Sequence, residues 1–267
     1  MMKRTLLPAL LALATTLPLG AQAANEVWDK PVTFQIGAFR ADAETNVRLD
    51  TNSGNAGTSI SFESTLGIAR TKTLPDLEFL WRINNRHGVE ASYVSLERDG
   101  TRTLSGEIRF GEAVFPVNTS VNSTFDSKVL RVAYRYSPIN EGGNELAFLL
   151  GLHYTQLDTS IVGTLGTVSD SASVDVPLPT IGVRGALRFA DNFRVTGFAQ
   201  ALKLKIDQYD GELINAGVGV EWAFLPNAYA GVGYNYYKYE LTSTKDRARG
   251  QFNFRFDGPT VYAAWAF

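Results

Sequence analysis

Apolar and polar residues alternate with a period of two along most of the chain, the mark of strands with two unlike faces. In "DLEFLWRI", Leu77, Phe79, Trp81 and Ile83 share one face, and Asp76, Glu78, Leu80 and Arg82 the other. In "KVLRVAYRYS", Leu130, Val132, Tyr134 and Tyr136 oppose Arg131, Ala133 and Arg135. "TIGVRGALRF" sets Ile181, Val183, Leu187 and Phe189 against Gly182, Arg184, Ala186 and Arg188. "NAGVGVEWAF" sets Ala216, Val218, Val220, Trp222 and Phe224 against Asn215, Gly217, Gly219 and Glu221. The apolar face is bulky, with aromatics near the strand ends. The other face carries glycine, alanine and scattered charges, with few large aliphatics. A water-soluble sandwich hides its bulk and exposes its charges. A membrane barrel does the reverse, with small and polar residues inward and aromatic rims outward. The pattern therefore predicts an all-β fold, a closed antiparallel transmembrane β-barrel.

Ten strands are expected, at about 31–46, 72–83, 88–98, 121–136, 145–158, 178–189, 193–206, 213–224, 229–241 and 252–267. Eight is the alternative count, because the first strand and "TSISFE" (58–63) are hard to place. Short links around 84–88, 137–144, 190–192 and 225–228 alternate with long polar ones at 47–72, 99–120 and 159–177. Shorter loops fall near 207–212 and 242–251. Barrels of this kind keep short turns on the periplasmic side and long loops outside. An even strand count then puts both termini in the periplasm. No internal repeat, linker or second domain shows.

The two ends of the sequence fit this picture. The chain finishes on "TVYAAWAF", with Val261, Ala263, Trp265 and Phe267 on alternate positions. In lipid every backbone polar group must be paired, so the last strand has to close on the first. The chain opens with Lys3 and Arg4, an apolar stretch from Leu6 to about Leu19 broken by Pro8 and Pro18, and Ala21-Gln22-Ala23. That is the three-part layout of a secretory signal peptide, residues 1–23, leaving a barrel of residues 24–267. A membrane anchor would need about 20 unbroken apolar residues.

Composition adds exclusions. With no cysteine, disulfides do not staple the fold and no thiol serves as nucleophile or metal ligand. Loss of Lys3 and Arg4 takes the formal charge from −2 to −4, and without a basic stripe nucleic acid is not an expected partner. The 24 glycines and 12% aromatics suit strands and tight turns.

The whole-chain architecture resembles small bacterial outer-membrane β-barrel proteins. A narrower resemblance covers residues 74 to about 160. Arg86-His87, Ser92-Tyr93, Arg98-Asp99-Gly100, Arg102-Thr103-Leu104, Phe110-Gly111, Phe115-Pro116 and Phe125-Asp126 are similar to a family of uncharacterised proteobacterial outer-membrane proteins. The resemblance implies the fold and an outer-membrane location, and no activity. It also implies that the terminal Phe267, with the alternation before it, acts as the sorting signal read by the barrel assembly machinery.

The search for chemistry starts from two histidines. His87 lies in the short link "NNRHG", a solvated or rim position. His153 shares a face with Ala147, Leu149 and Gly151 and is expected in the lumen, filling a polar interior. Outer-membrane enzymes supply three patterns for comparison. Omptin proteases use paired aspartates and an Asp–His dyad, and no acidic pair sits beside His153. Lipid A deacylases use His-x-Ser with a Glu, whereas Thr155 stands two residues after His153. Outer-membrane phospholipases need a His, a Ser and a polar orienter across strands, and no motif supports one. A Ser or Asp facing His153 on a neighbouring strand would be the deciding feature. No phosphate-cradling loop, metal-ligand cluster or calcium loop is present, and no cofactor is expected.

Charges collect on the inward face: Glu78, Arg82, Glu90, Arg131, Arg135, Arg184, Arg188 and Glu221. Barrels of about eight strands have interiors that side chains just fill, and porins need about sixteen. These charges are expected to pair across a narrow lumen rather than line a conduit. The loop "TSTKDRARG" places Lys245, Arg247 and Arg249 where they could meet lipopolysaccharide phosphates. The leading expectation is a monomeric barrel without catalytic machinery, structural or binding lipid or a ligand through its outer loops. A narrow channel for small solutes is the alternative, and an outer-leaflet lipid or protein hydrolase ranks third.

Overall fold

The computed structural model describes residues 27–267 except 52, 54, 165–167, 207–208 and 245–248; the expected signal peptide lies outside the described residues. A single 3-10 turn, Val27–Asp29, precedes the strands. These are β1 (Val32–Leu49), β2 (Ile60–Ser61), β3 (Thr71–Arg82), β4 (His87–Thr103), β5 (Ile108–Phe110), β6 (Ala113–Phe115), β7 (Ser120–Glu141), β8 (Asn144–Gly163), β9 (Ser169–Ala190), β10 (Phe193–Ile206), β11 (Tyr209–Leu225), β12 (Ala228–Ser243) and β13 (Gly250–Ala266). Among the described residues no helix is long and apolar enough to cross a membrane.

Ten strands form one antiparallel ring in the order β1-β3-β4-β7-β8-β9-β10-β11-β12-β13, and β13 returns to β1. The closing seam runs from Thr33↔Ala266 to Leu49↔Gly250, and the Phe267 N–H donates to the Val32 carbonyl at 2.8 Å. "TSISFE" is not a wall strand. Its Ile60–Ser61 forms the short β2, paired to β1 through Asn46↔Ser61 and Val47↔Ile60. It occupies the gap beside β1 where β3 has yet to start, so the ring counts ten rather than eight. β5 and β6 form a separate hairpin. Both described chain ends and the short turns lie at one end of the ring, here the terminal end. The long connections lie at the other, the loop end.

The exterior of the terminal half is an apolar belt. On β8 it runs through Leu146, Phe148, Leu150, Leu152 and Tyr154, all exposed. At roughly 3.3 Å per residue and a tilt of about 40° this gives some 20 Å of height before flanking side chains, close to an outer-membrane apolar band of about 25 Å. Aromatics crowd the terminal edge: Trp81, Tyr136, Phe189, Trp222, Trp265 and Phe267 are exposed there.

Above the belt the wall continues and its polarity reverses. The next outward positions on β7 are Lys128, Asp126, Thr124 and Asn122. Ser95, Lys128, Gln156 and Asp175 are lateral partners across four strands, so the reversal falls at one register across them. Inward, the same stretch is apolar: Phe125, Leu157, Ile161, Tyr239, Phe254 and Phe256 belong to one buried cluster. Two expectations need correction. The segment 159–177 is not a loop, since β8 extends to Gly163 and β9 begins at Ser169. The inward face is small and polar only in the terminal half. Where water rather than lipid bathes the outside, a barrel does what soluble proteins do and hides its bulk within.

This geometry separates two kinds of outward position. Leu150, 62% exposed in the belt, should tolerate arginine poorly, at a cost of about 2–4 kcal/mol. Ser160→Arg, outward on the same strand above the belt, should stay within about 0.5 kcal/mol. Urea unfolding in lipid vesicles checks both; equal costs would mean that the belt is misplaced.

Candidate functional site

The lumen is filled in three levels. At the terminal end the turn Val27–Asp29 tucks inward, and Val27 and Trp28 pack with Ala223, Tyr229, Ala264 and Ala266. Gly143, at φ +82°, leaves room for the indole, since a Cβ there would meet it at 2.8 Å. The Arg194 guanidinium lies 5.0 Å over the Trp28 ring, and its Nε donates to Glu221 at 2.5 Å. The Tyr262 hydroxyl donates to the other Glu221 oxygen at 3.0 Å.

The next level is ionic. Glu90 on β4 faces Arg131 at 3.4 Å and Arg135 at 3.5 Å, both on β7, and Arg184 on β9 at 3.9 Å. Glu145 holds Arg135 through both carboxylate oxygens and Arg82 at 3.3 Å, and accepts from Ser137 at 2.6 Å. Arg131 also reaches Glu78 at 3.6 Å, Ser92 at 3.0 Å and Gln200 at 2.9 Å. Phe198 presents its ring to Arg131 and Arg184, at 5.6 and 5.8 Å. Four acids, Glu78, Glu90, Glu145 and Glu221, pair with five arginines, Arg82, Arg131, Arg135, Arg184 and Arg194, and Asp76 nearby accepts from Thr260 at 3.4 Å. Such pairing matters because a buried charge without a partner costs several kcal/mol.

Of the eight inward charges expected from the sequence, seven stand in these pairs. Arg188 does not. It sits at the terminal rim, donating to the Ala190 carbonyl at 3.3 Å and pairing with Asp191 at 3.5 Å. Arg194, the lateral partner of Arg188 and inward by the same alternation as Phe198 and Gln200, stands beside Glu221 instead. Glu145 escaped the sequence reading although it shares the inward parity of Ala147 and Leu149. Glu221 pairs with the neighbouring strand, not across the lumen. Small cavities of about 30, 30 and 60 Å³ adjoin one another around Glu78, Asp76 and Arg184. The ionic level thus braces the wall and leaves only small gaps.

His153 lies at the upper edge of this level, buried, with its ring stacked on Tyr237 at 6.3 Å. Its lateral partners are Arg131 and Leu178. Neither ring nitrogen has a hydrogen-bond partner among the described residues, and the Gln200 amide, itself without a partner for its NH2, is the group beside it. Ser92 and Asp76 line the same cavity, and among the described residues no Ser or Asp is hydrogen-bonded to the ring. His87 is at the terminal rim, hydrogen-bonded through Nδ1 to the Tyr134 hydroxyl, stacked on the Tyr134 ring and tilted against that of Tyr136.

The third level is the apolar core, capped by two connections that fold inward. Residues 50–70 bury Ile60, Phe62, Leu66 and Ile68. Arg98, inward on β4 with no side-chain exposure, holds them in place. It donates to Glu63 at 2.7 Å, to Thr45 Oγ1 at 2.5 Å and to the Ala69 carbonyl at 3.3 Å, and lies 5.2 Å over the Phe125 ring. Gly100 allows the contact, since a Cβ there would sit 2.8 Å from Gly67 and Ile68 backbone. Arg102 donates to the Ser64 carbonyl at 2.6 Å. The β5–β6 hairpin buries Phe110 and Phe115 and crosses the mouth: the Gly111 N–H reaches the Leu49 carbonyl on β1 at 3.0 Å, and the Glu112 N–H reaches Asp170 on β9 at 3.2 Å. Several residues that carry the sequence resemblance over 74–160 therefore build this cap. Lys245 and Arg247 lie outside the described residues. Arg249 is half-buried, and its carbonyl accepts from Asp50 at 2.9 Å.

Among solved structures the chain overlaps the outer membrane protease OmpT from Escherichia coli at a TM-score of 0.57, with 12% identity over 88% of this chain and 96% of that one. The fold is that of a Gram-negative outer-membrane β-barrel. At such identity the likeness reaches no further than the fold. Looser overlaps, at TM-scores of 0.43 and 0.35, link the chain to the transport unit of the Escherichia coli autotransporter AIDA-I (10% identity, 95% of this chain, 94% of that one) and to OprG from Pseudomonas aeruginosa (14%, 89% and 97%). No family model and no curated protein sequence matches the chain.

Two outcomes test these levels. Glu90→Gln should take from Arg184 its acid partner, and one of two from Arg131 and Arg135, and cost about 3–5 kcal/mol in urea unfolding, the usual cost of breaking a well-buried pair. Arg98→Leu should free residues 50–70. Proteolysis within that segment should become faster while the heat-modifiable mobility of the folded barrel persists.

Proposed function

We propose that the chain is a monomeric outer-membrane barrel with its termini in the periplasm and its loop end outside, acting at that outer end as a structural or ligand-binding element. The observation that carries this reading is the apolar core under an inward-folded cap. Solute crossing the barrel would have to pass Phe125, Phe254 and Tyr239, which are packed ring against ring with their neighbours. Conduction needs a continuous water column, and an apolar layer of this depth excludes water. The non-catalytic part of the reading rests on the surroundings of His153.

Outer-membrane lipids are the expected partners. Lys203 and Lys238 flank Glu212 at 3.6 and 3.8 Å on the outer wall. They stand just above the apolar belt, at the height of lipid phosphates. With Lys205 beside them, and Lys245, Arg247 and Arg249 in the following loop, they would meet lipopolysaccharide phosphates. Val261, Ala263, Trp265 and Phe267 on the closing strand would be read by the assembly machinery.

In planar bilayers the wild-type protein should show no steady conductance. Glu90→Gln should stay closed as well, because the seal lies above the ionic level, whereas Phe125→Ala combined with Phe254→Ala should leak. A large, stable, ion-selective wild-type current would establish a channel instead. Phe267→Ser should lower the amount of heat-modifiable barrel in the membrane fraction; undiminished levels would remove the sorting role.

A further inference from the structure

The wall carries a slot between β3 and β4. Their ladder runs from Arg82↔Gly88 to Leu77↔Tyr93 and stops. Above it, residues 71–76 of β3 pair with β1 alone, and residues 94–103 of β4 pair with β7 alone. Pro75 is the cause. Val32 exchanges both of its main-chain bonds with Phe267, at 2.8 and 3.2 Å. Successive residues of an antiparallel strand bond to opposite neighbours, so Ala38, an even number of positions along β1, also bonds to β13. Its lateral partner Pro75 therefore turns its nitrogen to β4. The next bonded pair of the ladder would join Pro75 to Ser95, and proline has no N–H to give. Ser95 stands at the register where the outer wall turns from apolar to polar, so the slot begins at the outer edge of the belt.

Residues 62–70 fill the slot, and they are bound unequally to its two sides. Towards β1 the bonds are main-chain: the Phe62 N–H donates to the Thr45 carbonyl at 3.0 Å, and the Ala43 N–H to the Arg70 carbonyl at 2.8 Å. Towards β4, among the described residues, side chains make the bonds. Arg98 donates to Glu63 and the Ala69 carbonyl, and Arg102 to the Ser64 carbonyl. Lys72 of β3 reaches across to the Glu97 carbonyl on the edge that the ladder leaves. The β5–β6 hairpin bounds the slot above, its Arg109 carbonyl accepting from the Thr58 N–H at 2.9 Å. Behind the foot lies the cavity of about 60 Å³ beside His153, to which β3 contributes Asp76 and Glu78, and β4 Ser92 and Val94. That is room for about four waters, and the two His153 ring nitrogens have no protein partner. A segment held on one side without main-chain bonds is where a structure opens locally at low cost. We propose that residues 62–70 are the shutter of a side window: released from β4, they let water and small polar solutes pass between β3 and β4 to the His153 cavity. The inference goes beyond the closed-barrel reading and leaves it standing, because the window opens sideways and not along the barrel axis.

The chain has no cysteine, so a single introduced thiol can report the opening. Val129→Cys places one on the cavity wall, and Leu213→Cys, buried and inward on β11, places one in the apolar layer away from the window. The mature barrel in lipid nanodiscs is treated with hydroxyethyl methanethiosulfonate, a small uncharged polar reagent, and labelling is followed by mass spectrometry. Without urea, Val129→Cys should label well before Leu213→Cys. Adding Pro75→Val, which restores an N–H for Ser95, should slow that labelling about fivefold, and Lys72→Met, which frees the Glu97 carbonyl, should speed it about fivefold, the bias of one net hydrogen bond. Pro75→Ala restores the same N–H should the valine disturb the fold. Three results would overturn the proposal. The first is Val129→Cys labelled no faster than Leu213→Cys. The second is a rate that neither the Pro75 nor the Lys72 change alters, which would mean entry through the ionic level. The third is labelling confined to urea concentrations that unfold the barrel.

Discussion

Pairing of β1 with β13 is the interaction on which everything else depends. A sheet edge in hydrocarbon leaves N–H and C=O groups without partners, each at a cost of several kcal/mol. The seam from Thr33↔Ala266 to Leu49↔Gly250 removes that edge along the full height of the wall. Once the ring is closed at ten strands, its radius is set and so is the volume inside. That volume is too small for a porin-like channel and too large to leave empty. The contents of the lumen are therefore a consequence of closure.

How the volume is filled changes with the medium outside. Level with the belt, outward positions are spent on lipid contact, and the inward ones hold acids and arginines that pair with one another. Level with the extension, the outward positions face water and the inward ones carry Phe125, Leu157, Tyr239 and Phe254. The molecule is thus a membrane barrel stacked end to end with a soluble-type barrel, made from the same ten strands. Only the lower part needs a bilayer, and only the upper part has an interior of the kind that drives folding in water.

The cap shows how a single buried ion pair can organise a connection. Arg98 and Glu63 are 35 positions apart, and their contact brings a strand and a loop together inside an apolar layer. Charges in such a layer are stabilising only when their hydrogen-bonding capacity is largely used. Arg98 spends three bonds and an aromatic face, and Glu63 accepts from the Thr45 N–H with its second oxygen at 3.0 Å.

The sequence by itself determined the strand period, the ten-strand count as its leading reading, the lipid-facing residues of the belt and the inward side of most lumen charges. These follow from local parity: in a strand, side chains two apart share a face, and the belt's outward bulk is unlike anything a soluble sheet shows. Tertiary structure decided the rest. Arg188 was left at the rim beside Asp191 while its lateral partner Arg194 met Glu221, because which acid an inward arginine reaches is not written in strand parity. The segment 159–177 read as loop because its outward residues are polar, and polarity alone does not say whether lipid or water lies outside. The apolar core and the cap depended on residues far apart in sequence, Thr45, Glu63, Arg98 and Phe125, meeting in one place. Only closure of the ring brings them there.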